Sequence, residues 1–238
     1  MSNLADARRR IADNVAEVRQ RMAEAARRSG RTADDVLLVA VTKYVGVEIM
    51  RLLIDAGCLA LGESRPQDLW AKADAIADMP VQWHMIGHLQ RNKIRRTWPR
   101  LSWLHSVDSQ RLLVALDREA AARSEPLPVL LEVNVSGDRD KTGFACDEVA
   151  ALAHQLGQWP HLEIAGLMAM SALESNAESA RQDFAQLRAL RDALQPQCPP
   201  GIVLRHLSMG MSRDYEVAIE EGATMVRIGS ALLEGVLA

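Results

Sequence analysis

Lys43 follows directly on Leu37-Leu38-Val39-Ala40-Val41-Thr42, an unbroken apolar run closed by a threonine. A run of this length without alternation reads as a strand buried on both faces. A lysine at its end would sit at the mouth of a low-dielectric interior, where desolvation disfavours the ammonium and yields an amine able to attack an aldehyde. A lysine reaching from a strand end to water is the plainer alternative. Two further segments could hold phosphate. Ser208-Met209-Gly210-Met211-Ser212 and Gly229-Ser230 each offer hydroxyls and backbone N–H groups leading into a helix; taken singly, Ser212 and Ser230 also read as ordinary N-caps. Arg227 precedes Gly229 by two residues and carries a guanidinium that stays charged in any protein environment. A salt bridge to Glu132 or Glu63 would account for it equally well. The histidines invite a metal reading, with His84 and His88 four apart. His84 should finish a strand and His88 lie in the following loop, so helical ligand geometry does not apply and no metal is expected.

These residues need elements to hold them. Further short apolar runs at Leu59–Gly62, Gln82–Ile86, Trp103–Ser106, Pro128–Asn134, Glu163–Met168, Leu204–Leu207 and Met225–Ile228 read as strands. Helical patterns separate them at Val47–Ala56, Asp68–Ala77, Gln90–Arg96, Gln110–Arg123, Asp147–Leu156, Ala177–Leu194 and Asp214–Glu221. Ahead of them Leu4, Ile11, Val15, Val18 and Met22 mark one face of a helix that Gly30 should end. Eight βα units after one added N-terminal helix predict a TIM barrel. A doubly wound open sheet is the runner-up, but no GxGxxG follows the first strand. The expected layout is a single domain over 1–238, with the helix in 1–30 and the barrel in 37–238. Barrel chemistry collects where strands end, which is where Lys43, Ser64, His84, Ser208, Met209, Arg227, Gly229 and Ser230 fall.

The remaining composition narrows the classes. Net charge is −3, with 48% hydrophobic and 25% charged residues, so no general attraction to nucleic acid or anionic membrane follows. Arg91-Asn92-Lys93-Ile94-Arg95-Arg96 reads as a solvated helix face rather than an RNA contact. Three scattered cysteines, Cys58, Cys146 and Cys198, make neither a disulfide framework nor a zinc site. The arginine-rich N-terminus has no signal-peptide core, and no run approaches a membrane span. A cytoplasmic monomer is expected.

Together these segments resemble the pyridoxal phosphate homeostasis protein family. The likeness is carried by Leu38-Val39-Ala40-Val41-Thr42-Lys43, Leu61-Gly62-Glu63-Ser64-Arg65, Trp83 to Lys93, His105-Ser106-Val107-Asp108, Leu207 to Ser212 and Met225 to Ser230, in that order. It implies an α/β fold, the (β/α)8 barrel of the alanine racemase N-terminal domain type, with pyridoxal 5′-phosphate as cofactor. By that resemblance Lys43 would form the internal aldimine, Ser208, Gly229 and Ser230 would hold the phosphate, and Arg227 would face the pyridine nitrogen. Ser64, His84 and Met209 complete the expected cofactor-binding set. An arginine in that place keeps the ring unprotonated and a poor electron sink. Two departures stand out: Ser64 replaces the asparagine of the family's Gly-Glu-Asn-Arg, removing an amide, and Tyr44 replaces a common threonine.

The resemblance implies a protein that stores, shields or delivers the cofactor in vitamin B6 and amino-acid homeostasis, rather than an enzyme. Cofactor-dependent apo-enzymes are candidate partners, and Lys141, beside Thr142-Gly143, is a candidate amine for the transfer, with a solvated loop lysine as its alternative. The rival is a cofactor-dependent racemase. Racemases of this fold draw a second base, a tyrosine, from a C-terminal domain, and with the sequence ending at Ala238 no such domain is expected. A cofactor-free Schiff-base aldolase is the further rival.

Overall fold

The computed structural model describes residues 4–122, 126–137, 142–171 and 177–236. Eight parallel strands form a closed barrel in chain order: β1 (Leu37–Val41), β2 (Ala60–Glu63), β3 (Gln82–Met85), β4 (Trp103–Val107), β5 (Leu127–Glu132), β6 (Leu162–Met168), β7 (His206–Ser208) and β8 (Met225–Ile228). β8 pairs back onto β1, with Val39 opposite Arg227 and Ala40 opposite Ile228, so the first and last strands lie side by side. Helices α1 (Leu4–Arg28), α2 (Val47–Asp55), α3 (Pro66–Ala75), α4 (Ile94–Thr97), α5 (Gln110–Ala120), α6 (Cys146–Leu152), α7 (Ala177–Leu194) and α8 (Tyr215–Glu220) accompany them.

The added helix α1 buries Ile11, Val15, Val18 and Met22, the face that the sequence pattern marks, while Leu4 remains exposed. Each such side chain contributes roughly 1.5–3 kcal/mol through burial. It packs on α2, α8 and the segment after β8, where the Asn14 amide donates to the carbonyls of Leu232 and Glu234.

Alternation along the strands divides the barrel interior into layers. Side chains two apart share a face. Trp103 is followed on that face by His105, Leu130 by Glu132, His206 by Ser208, and Met225 by Arg227. Leu130, Ala165, Met168 and Met225, with Trp103 against them, form a small apolar cluster separate from the large core beneath the helices. The next residues toward the strands' C-terminal ends are polar and buried: His105, Glu132, Ser208 and Arg227.

Some boundaries differ from expectation. The helix expected over Gln90–Arg96 is a 3-10 turn at Arg91–Lys93, the single turn α4, and a further 3-10 turn at Trp98–Arg100. Pro99 lacks the N–H that a continuing helix would use. Strand β7 begins at His206 rather than Leu204, because the Leu204 N–H is taken by the Gln195 side chain at 2.7 Å and the Arg205 N–H by the Val203 carbonyl at 2.8 Å.

Candidate cofactor site at the C-terminal rim

Arg227 is the centre of the rim. It is 4% exposed and donates through Nη1 to the Ser208 carbonyl at 2.7 Å and the Ser208 hydroxyl at 2.6 Å, and through Nη2 to the Ala169 carbonyl at 2.9 Å. Among the described residues no carboxylate forms an ion pair with it, so neither Glu132 nor Glu63 plays the salt-bridge role. Burial pushes its guanidinium down to about 10, opposed by the more distant charges of Glu132 and Asp214. Glu132 instead accepts from the Thr142 hydroxyl at 2.7 Å, and burial pushes its carboxyl upward.

The loops after β7 and β8 meet beside it. The backbone N–H groups of Gly229 and Ala231 both donate to the Ser212 hydroxyl, each at 3.3 Å. Two N–H groups thus converge on one oxygen at the end of β8. Asp214 braces the other loop, accepting from the Met211 N–H and the Ser171 hydroxyl, both at 2.6 Å. Gly210 adopts φ +92°, and a Cβ there would come within 2.5 Å of Ala218 Cβ, so this tight turn requires glycine. Gly229 lies against Val41, the last residue of β1: an added Cβ would stand 3.3 Å from Val41 Cβ. The two N–H groups therefore adjoin the strand that leads to Lys43.

Lys43 is exposed, and its amine lies 4.8 Å from the centre of the Tyr44 ring, itself 81% exposed. The desolvated amine expected from the apolar run is absent, because β1 ends at Val41 and the turn carries Lys43 out to solvent. The peptide before it is clamped instead. Thr42 and Glu63 are fully buried, and the Thr42 hydroxyl donates to Glu63 at 2.7 Å. Lys72 of α3 donates to the same Glu63 oxygen at 2.5 Å and to the Thr42 carbonyl at 2.7 Å.

The other expected residues divide. Ser64 is half-buried, and its backbone presses on Gly87 so closely that a Cβ there would come 2.4 Å from the Ser64 carbonyl. Ser230 is exposed at the rim. Ser208 is buried, with its hydroxyl committed to Arg227 and to His105 Nδ1 at 2.8 Å. That engagement differs from the phosphate contact expected of it. Met209 turns its side chain into the core beneath the helices, because it follows the inward-facing Ser208. His84 is fully buried and bonds His105 at 2.9 Å, so His105 and Ser208 stand between it and Arg227. His88 pairs separately with Asp108 at 2.7 Å. Lys141 lies outside the described residues. The sequence contained no local signal for the Lys72–Glu63–Thr42 clamp or for His105 as a partner of Ser208, since both require barrel closure. Ser212 was visible as the last hydroxyl of a phosphate-type segment, with an N-cap as its alternative.

Comparison with known proteins agrees with this architecture. The alanine racemase N-terminal domain family matches residues 8–235. The pyridoxal phosphate homeostasis protein of Pseudomonas aeruginosa is 42% identical over 93% of this chain and 94% of its own, and that of Aquifex aeolicus 36% over 92% and 96%. Among solved structures, PipY of Synechococcus elongatus, determined with PLP bound, superposes with a TM-score of 0.83 at 34% identity, covering 93% of this chain and 99% of PipY. Alanine racemase of Corynebacterium glutamicum, 15% identical with a TM-score of 0.72, shares the fold over 95% of this chain and 64% of its own. A closed eight-stranded barrel with an added helix, matched nearly end to end by these relatives, makes the chain a member of the pyridoxal phosphate homeostasis protein family.

Proposed function

We propose that the chain binds pyridoxal 5′-phosphate at the C-terminal rim and serves cofactor homeostasis as a carrier rather than an enzyme. The observation that carries this reading is the conjunction at β8 and β1: a buried arginine without a carboxylate partner, two convergent N–H groups, and an exposed lysine on the adjoining strand end. The residues fit the group. An anionic oxygen in place of the Ser212 hydroxyl would satisfy the Gly229 and Ala231 N–H groups with charge-assisted bonds. In this reading Ser212, Gly229 and Ser230 hold the phosphate, and Arg227 holds the pyridine nitrogen. When bound, the cofactor supplies an aldehyde that an amine captures reversibly, and Lys43 is that amine. Its solvent exposure suits a carrier, because an incoming amine from a recipient protein needs access to it. Ser64 contributes through its backbone packing on Gly87.

The positions of the tyrosines favour carriage over racemisation. A racemase needs a base on the face of the ring opposite Lys43. Tyr44 adjoins Lys43 and projects into solvent, while the buried Tyr215 ring on α8 lies under Arg21 of α1. Incubation with each L-amino acid in deuterated water, beside an assay of cofactor transfer to an apo-enzyme, tests the reading. Measurable transfer without enzyme-like α-proton exchange is expected. Steady exchange that is lost in Lys43→Ala would overturn the carrier reading and install an enzyme.

A further inference from the structure

The barrel interior holds a string of neutral polar groups that ends on Arg227. His84 Nδ1 lies 2.9 Å from His105 Nε2, His105 Nδ1 lies 2.8 Å from the Ser208 hydroxyl, and that hydroxyl receives Arg227 Nη1 at 2.6 Å. All three of His84, His105 and Ser208 are fully buried.

The guanidinium sets the direction of the whole string. It has only donors, so the Ser208 oxygen must offer Arg227 a lone pair. The hydroxyl proton is then free to point at His105 Nδ1. His105 therefore carries its proton on Nε2 and gives it to His84 Nδ1, and His84 keeps its proton on Nε2. That last atom is buried and has no partner among the described residues. The opposite direction leaves the Ser208 proton without an acceptor as well as leaving His84 Nε2 unpaired, which is one more buried polar group unsatisfied. Both rings are held neutral. Burial pushes His84 down to about 3. His105 falls well below its ordinary value through burial and then through the charges of His84, Arg227 and His206.

We propose that His105, backed by His84, is a positioning residue for the cofactor's pyridine nitrogen: it orients the Ser208 hydroxyl, which in turn orients the Arg227 guanidinium. The inference rests on the cofactor reading above and assigns that site a deeper layer. A carboxylate in the place of Ser208 would hold the arginine equally firmly but would cancel its charge and favour a protonated ring. A neutral hydroxyl–imidazole string holds the guanidinium while leaving its charge intact toward the ring nitrogen.

Two readouts test it. In the cofactor-free protein, ring 15N NMR should show both His84 and His105 in the Nε2–H form, without titration through the range of an ordinary imidazole. A protonated ring, or a proton on His105 Nδ1, would overturn the string. In the loaded protein, His105→Leu should move the pH midpoint of the Lys43-linked absorption in the same direction as Arg227→Gln, by a smaller amount. The double variant should move it no further than Arg227→Gln alone, since the two residues act through one route. Additive shifts, or no shift in His105→Leu, would reduce His105 to a packing residue. If His105→Leu does not fold, Ser208→Ala, which removes one oxygen from the same link, carries the same expectation. Absence of any Lys43-dependent absorption in the unaltered protein would instead break the cofactor reading, and the NMR result would still decide the string.

Discussion

The β7–β8 side and the β1–β2 side of the barrel each bury a charge, and they do so by opposite means. Glu63 is fully buried and meets an opposite charge, Lys72, at 2.5 Å. Arg227 is 4% exposed and meets two carbonyls and a hydroxyl. The first arrangement cancels charge and makes a clamp on the Thr42–Lys43 peptide. The second preserves charge and makes a recognition group. Two motifs that look alike in sequence, each one charged residue at a strand end, thus divide into scaffold and chemistry according to what receives the charge.

The largest effect that could break this contrast belongs to the clamp. Glu63→Ala strands a half-buried lysine and frees the Thr42 hydroxyl, and should cost about 3–5 kcal/mol in urea unfolding, the usual penalty for breaking a buried pair. Arg227→Met removes three hydrogen bonds but also relieves the desolvation of an uncompensated cation, so its cost should be smaller, about 1–3 kcal/mol. Its effect on cofactor retention should nevertheless exceed that of the milder Glu63→Gln. A reversed order in either measurement would dissolve the distinction between the two regions.

The histidine string gives an acid signature. His84 takes up a proton near 6.5 in the unfolded chain but only at about 3 in the folded one. Between those values the unfolded state holds more protons, so this contribution is complete above 6.5 and is lost as pH falls toward the folded value. His105 adds to the slope with the same sign. The urea midpoint should therefore fall on acidification through this window, and His84→Gln should flatten the fall. An unchanged slope would mean that His84 is not held neutral by burial. The smallest effect is expected of Ser212→Ala, about 1 kcal/mol in the absence of ligand, as for a lost cap, together with weaker preference for pyridoxal phosphate over pyridoxal. Equal preference in both proteins would remove Ser212 from the phosphate site.

What the sequence revealed follows from the range of each signal. Local patterns marked β8 at Met225–Ile228 and α7 at Ala177–Leu194 as the structure has them, and the period-four face of α1 identified its buried side. The rim residues were legible because strand ends are local too. For Lys43 both outcomes stood open, since one residue of strand length decides whether the side chain faces the interior or water. The use of Ser208 was not legible: its partners His105 and Arg227 lie 103 and 19 residues away, and only the closed barrel brings them together. Nor was the direction of the Met209 side chain, because a strand's alternation sends every second rim residue into the outer core.

The absorption spectrum of the protein as isolated, compared with that of Lys43→Ala, tests the central claim most directly. The unaltered protein should show the band of a lysine-linked pyridoxal phosphate, and Lys43→Ala should lack it while retaining the barrel's circular dichroism. The same band in a folded Lys43→Ala protein, or none in the unaltered protein after incubation with the cofactor, would contradict the assignment of this rim as a pyridoxal phosphate site.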